Sequence, residues 1–167
     1  MNVLGLVRSV NAFLPLLRKG TQKKIIVIGT EMADTDVVWK ARVSGVAAYG
    51  VTKAAEHMVA IKYAAELEPE GFTVVAVSPG MVDVSATATE PSESQSMVKG
   101  YTALMFKPEV VTEAQLPMAM KVMGGIQAAY PKAANFTPEE SARRLVSFMQ
   151  SVGPTESGLF HRSPQFA

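Results

Sequence analysis

In the first twenty residues Val3, Leu6, Val7, Val10, Phe13, Leu14 and Leu17 recur at intervals of three and four, the period of a helix that buries one face. Gly20 stands where such a helix stops. Asn2, Arg8, Ser9 and Asn11 interrupt the apolar run, and no small-residue cleavage site follows it. That pattern argues against a signal peptide or a membrane span. After Lys23 and Lys24, the run Ile25-Ile26-Val27-Ile28 shows no alternation, which predicts a strand covered on both faces and ended by Gly29-Thr30. Residues 31–46 mix Asp34, Asp36, Ser44 and Gly45 with Val37, Val38 and Trp39, predicting a long connection over apolar surface without a regular element. An alanine-rich helix follows from about Ala47 to Leu67, stopped by Glu68-Pro69-Glu70-Gly71. Phe72 to Val77 reads as a second buried strand, ended by Ser78-Pro79-Gly80.

Two buried strands joined by a helix favour a right-handed parallel crossover. The strand ends at Thr30 and Ser78 then share one edge, the edge at which open α/β sheets place their ligands. Residues 85–96 are small and polar and predict a loop; beyond them Met97, Leu104, Met105, Phe106, Met118, Met120 and Met123 form an apolar, methionine-rich stretch. Thr137-Pro138-Glu139-Glu140 carries a capping-box pattern with proline at the first helical position, so a last helix is expected from about Pro138 to Val152. Gly158-Leu159-Phe160 is a candidate short strand. The chain thus reads as a single α/β domain over residues 1–167, with about three parallel strands flanked by helices.

Composition narrows the function. The 167 residues, 48% hydrophobic and 19% charged, suit one soluble globular domain with a continuous core. Sixteen basic residues against fifteen acidic ones leave a formal charge of +1, so no global field gathers nucleic acid or acidic lipid, and neither partner is expected. The lack of cysteine removes disulfides, thiol nucleophiles and thiolate metal sites, and fits a reducing, cytoplasmic setting. His57 and His161, the only histidines, have no metal-type spacing with carboxylates. Both are expected to be packing or surface residues, and no metal is assigned.

Tyr49 and Lys53 lie four residues apart on the long helix, so their side chains leave the same face. An ammonium one turn from a phenol favours the phenolate, the adjustment a general acid/base needs. With four tyrosines and ten lysines in the chain, chance alone gives roughly 0.24 such pairs, so the spacing by itself proves little. Its placement discriminates: the pair opens a helix that leaves one buried strand and leads to another, with Pro-Gly just past the second.

Through Asn2-Val3-x-Gly5 in the first helix, Tyr49-x-x-x-Lys53 in the long one, and Ser78-Pro79-Gly80 after the second strand, the chain resembles the catalytic, C-terminal portion of the short-chain dehydrogenase/reductase family. The resemblance implies a partial Rossmann-like, doubly wound fold and an NAD(P)-dependent oxidoreductase acting on a carbonyl/alcohol pair. It implies that Tyr49 exchanges a proton with the substrate oxygen, that Lys53 assists it and holds the nicotinamide ribose, and that Asn2 supports a water in the proton relay; a capping role is the plain alternative for Asn2. The family's substrate-orienting serine belongs just past the first strand, where this chain has Thr30. Thr30 stands 19 residues before Tyr49, a longer interval than is common in the family. Thr35 fits the spacing better but sits away from the strand end, Ser44 is too close to the tyrosine, and a local turn is an equal use for Thr30. Pro79, Gly80 and the main chain of Val82 would meet the nicotinamide, with Val84 where the family often has threonine and Ser85 next to it. Residues 85–136 would form the substrate loop or lid.

A dinucleotide site needs a glycine-rich turn between a strand and its helix, and none of the twelve glycines forms one. The N-terminal half of the fold, which carries that turn in the family, is therefore expected to be missing, leaving the strand at Ile25–Ile28 as an unpaired edge. Two readings follow: an oxidoreductase in truncated form, using NAD or NADP, and a non-catalytic relative that pairs with itself or with a full-length dehydrogenase through the helices at 2–18 and 47–67.

Overall fold

The computed structural model describes residues 2–83 and 116–166. Helix α1 (Asn2–Lys19) leads to strand β1 (Lys24–Ile28), helix α2 (Thr35–Lys40), the long helix α3 (Ala47–Leu67) and strand β2 (Thr73–Val77). After the undescribed segment come helix α4 (Leu116–Ala129), helix α5 (Pro138–Ser151) and the two-residue strand β3 (Phe160–His161). The sheet has the order β1-β2-β3 and is parallel throughout, with Ile28 opposite Val77 and Val77 opposite His161. The architecture is the expected partial Rossmann-like one: three parallel strands flanked by helices.

The helix boundaries follow from local chemistry. Gly20 donates its N–H to the Leu17 carbonyl at the end of α1. Gly71, at φ 78°, takes the left-handed conformation that turns the chain out of the 3-10 turn Glu68–Glu70 and into β2. At α5, Thr137 accepts from the Glu140 N–H while the Glu140 carboxylate accepts from the Thr137 N–H, the reciprocal capping box that the sequence pattern predicts. The Lys24 ammonium donates to the carbonyls of Met149 and Gln150, tying the last turn of α5 to the start of β1.

One face of the sheet is fully packed. Ile25 and Val27 of β1 and Val74 and Ala76 of β2 meet Val10 and Leu14 of α1 and Ala60, Ala64 and Leu67 of α3, with Phe72 closing the bottom. Each large side chain buried there contributes about 1.5–3 kcal/mol. Ala60 and Ala64 of α3 lie on this face, so the helix backbone approaches the strands closely there. The opposite face differs from expectation. All five residues of β2 are buried, but β1 alternates: Ile26 is half-buried and Ile28 is 46% exposed. Helix α5 lies on this second face near β2 and β3, and among the described residues no strand pairs with the free side of β1.

A second apolar cluster sits beyond the strand ends. It joins Met32, Val37, Ala41 and Val43 to Met81, Val122, Ile126, Tyr130 and Phe166, with Tyr49 against it. This corrects the reading of residues 31–46 as irregular. They hold a 3-10 turn at Glu31–Ala33 and the short helix α2, capped by Asp34, whose carboxylate accepts from the Asp36 and Val37 N–H groups. The segment is too short and too mixed for its 3.6-residue period to show, and its order comes from the cap and from burial of Val37. From the methionine-rich stretch, only the part within α4 is described. There Val122 and Ile126 enter the core, while Met120 points to solvent.

Candidate active site

Parallel pairing brings the ends of β1 and β2 to one edge, where Gly29 donates its N–H to the Val77 carbonyl. Helix α3 starts beside this edge. Its preceding residue, Val46, holds φ 52°, an unusual value for a β-branched residue, and no side chain caps the helix. Tyr49 is the third residue of α3 and half-buried. The first turn of a helix offers unpaired N–H groups and the positive end of the dipole, a setting that favours negative charge on a nearby oxygen. The Tyr49 carbonyl accepts from the Thr52 hydroxyl.

Lys53, one turn on, reaches back to the sheet. Its ammonium donates to the Ile28 carbonyl at 3.1 Å and pairs with the Glu56 carboxylate at 2.6 Å. Asn2, the first residue of α1, donates through Nδ2 to the Thr52 hydroxyl at 3.2 Å. The side chain thus docks on α3 beside Lys53, though the two residues are 50 positions apart. Gly50 lets the 3-10 turn after β1 approach α3, since a Cβ there would lie 2.8 Å from the Met32 carbonyl oxygen. Asn2 thus docks on the first two turns of α3, which carry Tyr49 and Lys53, and Lys53 is tied to the end of β1.

Thr30 sits directly past β1, where its hydroxyl accepts from the Met32 N–H at 3.2 Å and caps the 3-10 turn. That is the local use the sequence left open beside the substrate-orienting one, and the hydroxyl proton remains for another acceptor. Thr35 is the first residue of α2. On the neighbouring strand end, Gly80 takes φ 80°, and its N–H donates to the Ser78 hydroxyl at 3.0 Å. A Cβ at Gly80 would lie 2.5 Å from Gln165 Oε1 and 2.7 Å from Ser163 Oγ, so the chain's own C-terminal segment occupies that side of the turn. Val82 forms an isolated parallel bridge with Phe136, but the hydrogen bonds run through the Met81 carbonyl and the Asp83 N–H and leave Val82's own amide and carbonyl out of the bridge. Val84 and Ser85 lie outside the described residues, as do residues 85–115 of the proposed lid.

Sequence reasoning did not find the buried carboxylate behind this edge. Glu31, 3% exposed, accepts from the Ser78 hydroxyl at 2.5 Å and from the Ser163 N–H at 2.7 Å. Burial pushes its carboxyl above the usual carboxylate range, partly offset by those two hydrogen bonds. Nearby, the Arg162 guanidinium grips Asp34 through Nε and Nη2 at 2.6 and 2.8 Å and reaches Asp36 at 2.9 Å, fastening the segment after β3 to the start of α2. No local signal marks Glu31, because its partners come from 47 and 132 residues away. Glu56, by contrast, stands at Lys53 plus three, a readable ion-pair spacing. His57 is half-buried: its ring stacks on Phe160 at 4.2 Å between centroids, and its Nε2 faces Gly29 so closely that a Cβ there would collide with it. Burial first, and then the Lys53 charge, hold its pKa below the ordinary histidine value. Among the described residues no cluster of three or more His, Asp or Glu side chains could hold a metal, and no helix is long and apolar enough to cross a membrane.

An αβα crossover with a tyrosine and a lysine one turn apart at the strand-end edge defines a class, and comparison with known proteins supplies the family. The family model described as short chain dehydrogenase matches residues 1–95, and the chain belongs to that family. Among similar proteins, the short-chain dehydrogenase/reductase atnB of an Arthrinium species is 36% identical over 133 residues, covering 75% of this chain and 49% of atnB. AacuF of Aspergillus aculeatus, also named a short-chain dehydrogenase/reductase, is 36% identical over 153 residues, covering 90% of this chain and 49% of its own length. An uncharacterized oxidoreductase of Schizosaccharomyces pombe is 27% identical over 161 residues, 96% of this chain and 52% of the relative. The chain spans about half the length of the curated relatives it matches.

Proposed function

We propose that this chain carries the proton-transfer half of an NAD(P)-dependent oxidoreductase that interconverts a carbonyl and an alcohol in a reducing, cytoplasmic setting. The observation that carries the reading is the anchoring of Lys53 on the Ile28 carbonyl at 3.1 Å, which puts the ammonium at the end of β1 with Tyr49 one turn back at the positive end of α3. In the reducing direction Tyr49 gives its phenolic proton to the substrate carbonyl oxygen, and in the oxidising direction it takes the proton from the alcohol. Lys53 stabilises the phenolate that results, Thr30 is the hydroxyl available to orient the substrate oxygen, and Asn2 supports the relay side of Lys53 through Thr52. A bound nicotinamide would supply or accept the hydride at the substrate carbon. The residues suited to hold it are Tyr49 and Lys53 at the ribose and, at the carboxamide, the Pro79-Gly80 turn and the main chain of Val82, whose polar groups its bridge leaves unused. No glycine-rich pyrophosphate turn stands in these 167 residues; the pyrophosphate would need a partner segment.

The test pairs the chain with the N-terminal half of a relative such as AacuF and follows NADPH or NADH oxidation with a panel of ketones and aldehydes. Turnover that falls by about 10²-fold or more in Tyr49→Phe supports the reading. Turnover unaffected by that substitution defeats it.

A second reading has its own observation. Val51, Met58 and Ile61 are exposed on α3, and with the exposed Ala54 and Ala65 they repeat at three and four residues on the side away from the sheet. That spacing is the seam by which one helix packs along another. We propose that α3, with α1 beside it, joins a second copy of the chain or a full-length relative. A purified chain that stays monomeric at every concentration, and forms no mixed oligomer with such a relative, would count against it.

A further inference from the structure

We infer that Glu56 is a positioning residue of the Tyr49–Lys53 pair, holding the Lys53 ammonium on the end of β1 and setting how much of its charge reaches the phenol. The inference rests on the proton-transfer reading of those two residues. Glu56 is 6% exposed, one of the few buried charged side chains among the described residues, and its carboxylate meets Lys53 Nζ at 2.6 Å. An ammonium has three N–H donors. One goes to Glu56 and one to the Ile28 carbonyl at 3.1 Å, which leaves a single N–H for any further acceptor. With two of its three donors fixed, the lysine has one rotamer and one direction for the third, which is what a group that must meet a reacting pair at a set angle requires.

The same contact tempers the charge. A carboxylate in contact with the ammonium opposes its field at a phenol one helical turn away, and the opposition is strong because the pair is largely out of water. Other charged groups nearby do not take over this function. On α3 itself the half-buried His57 stacks on Phe160. From the segment after β1, Glu31 is turned to Ser78 and Ser163, and Asp34 is held by Arg162 from beyond β3. From α1 the facing residue is the uncharged Asn2. Glu56 is thus the partner in direct contact with Lys53, and removing its negative charge should make the phenol easier to ionise.

The experiment is a pH titration of the Tyr49 ¹³Cζ resonance in the whole chain, assigned with Tyr49→Phe. In Glu56→Gln the midpoint should move to lower pH, an increase of about threefold or more in the ionisation constant. The shift should shrink when the same substitution is made in a Lys53→Met background, where only the direct field of the carboxylate remains. Glu56→Asp, which keeps the charge but draws it back by one carbon, should show a smaller shift in the same direction and serves if the glutamine variant does not fold. A midpoint that stays in place, moves upward, or moves equally without Lys53 overturns the assignment. The titration reads the ion pair alone. Turnover that survives Tyr49→Phe would instead defeat the proton-transfer reading and leave the ion-pair result standing.

Discussion

Gly50 stands between Tyr49 and Lys53, and its replacement by alanine sets two effects of known size against each other. In a helix, glycine to alanine stabilises by about 0.5–1 kcal/mol through the entropy of the unfolded chain. Against this, the new Cβ would sit 2.8 Å from the Met32 carbonyl oxygen. The obstacle is backbone, in a turn fixed by the Thr30 cap and by the Glu31 carboxylate, so it cannot swing aside as a side chain would. Overpacking of that kind costs about 1–3 kcal/mol. The clash should win, leaving Gly50→Ala destabilised by up to about 2 kcal/mol. Gly5→Ala is a matched control, because Gly5 is likewise the fourth residue of its helix and a Cβ there meets nothing within 4 Å. It should stabilise by the propensity gain alone, about 0.5–1 kcal/mol. Urea unfolding followed by far-ultraviolet circular dichroism measures both, and in a domain of this size 1 kcal/mol corresponds to about 2–4 °C in Tm. Opposite signs are expected. Equal stabilisation by the two substitutions would refute the argument and show that the turn beside Tyr49 yields freely.

Other consequences can be checked separately. Because burial raises the Glu31 carboxyl, its contribution to stability is complete below the unfolded value of about 4.3 and is lost as pH rises through the folded value. Glu31→Gln should therefore flatten the fall in urea midpoint on that side, and an unchanged pH profile would count against the burial argument. His57, lowered by burial, has the opposite sign: its contribution is complete above the unfolded value of about 6.5 and is lost as pH falls through the folded value. Its ring protons should titrate below those of a histidine in an unfolded peptide, and a midpoint at or above that reference removes the effect. Ile28→Lys places a charge on the exposed face at the end of β1, whose outer side no described strand pairs, and should reduce self-association seen by light scattering; an unchanged mass would move the sticky surface elsewhere. Met58→Lys on the α3 seam should weaken any dimer at least tenfold without shifting the unfolding midpoint of the monomer, and an unchanged dissociation constant would exclude that seam.

Much of the fold was legible because the signals were local. Gly20, Gly71 and the Thr137–Glu140 box mark element ends by chemistry that acts within four residues, and the alanine-rich period of α3 needs no tertiary context. Helix α2 was not legible: six residues are less than two turns, and Asp34 looks the same in a loop as at a helix cap. The alternation in β1 was hidden for another reason. Ile26 and Ile28 are as apolar as Ile25 and Val27, so the residues themselves do not tell which face is covered. At the candidate site, spacing and placement single out Tyr49 and Lys53. Glu31 could not, since its burial depends on Ser78 and Ser163 arriving from distant segments, and Thr30 kept both of its readings because a hydroxyl can cap a turn and still donate its proton.

The close approach of His57 to Gly29 bears on how this edge can vary. A Cβ at position 29 would collide with His57 Nε2, so any side chain there, a hydroxyl-bearing one included, requires the imidazole to move from its stack on Phe160. Positions 29 and 57 are therefore coupled: a serine at 29 requires the ring at 57 to turn away or a smaller side chain to replace it. In a selection from randomised codons at these two sites, large residues at one should be recovered with small residues at the other.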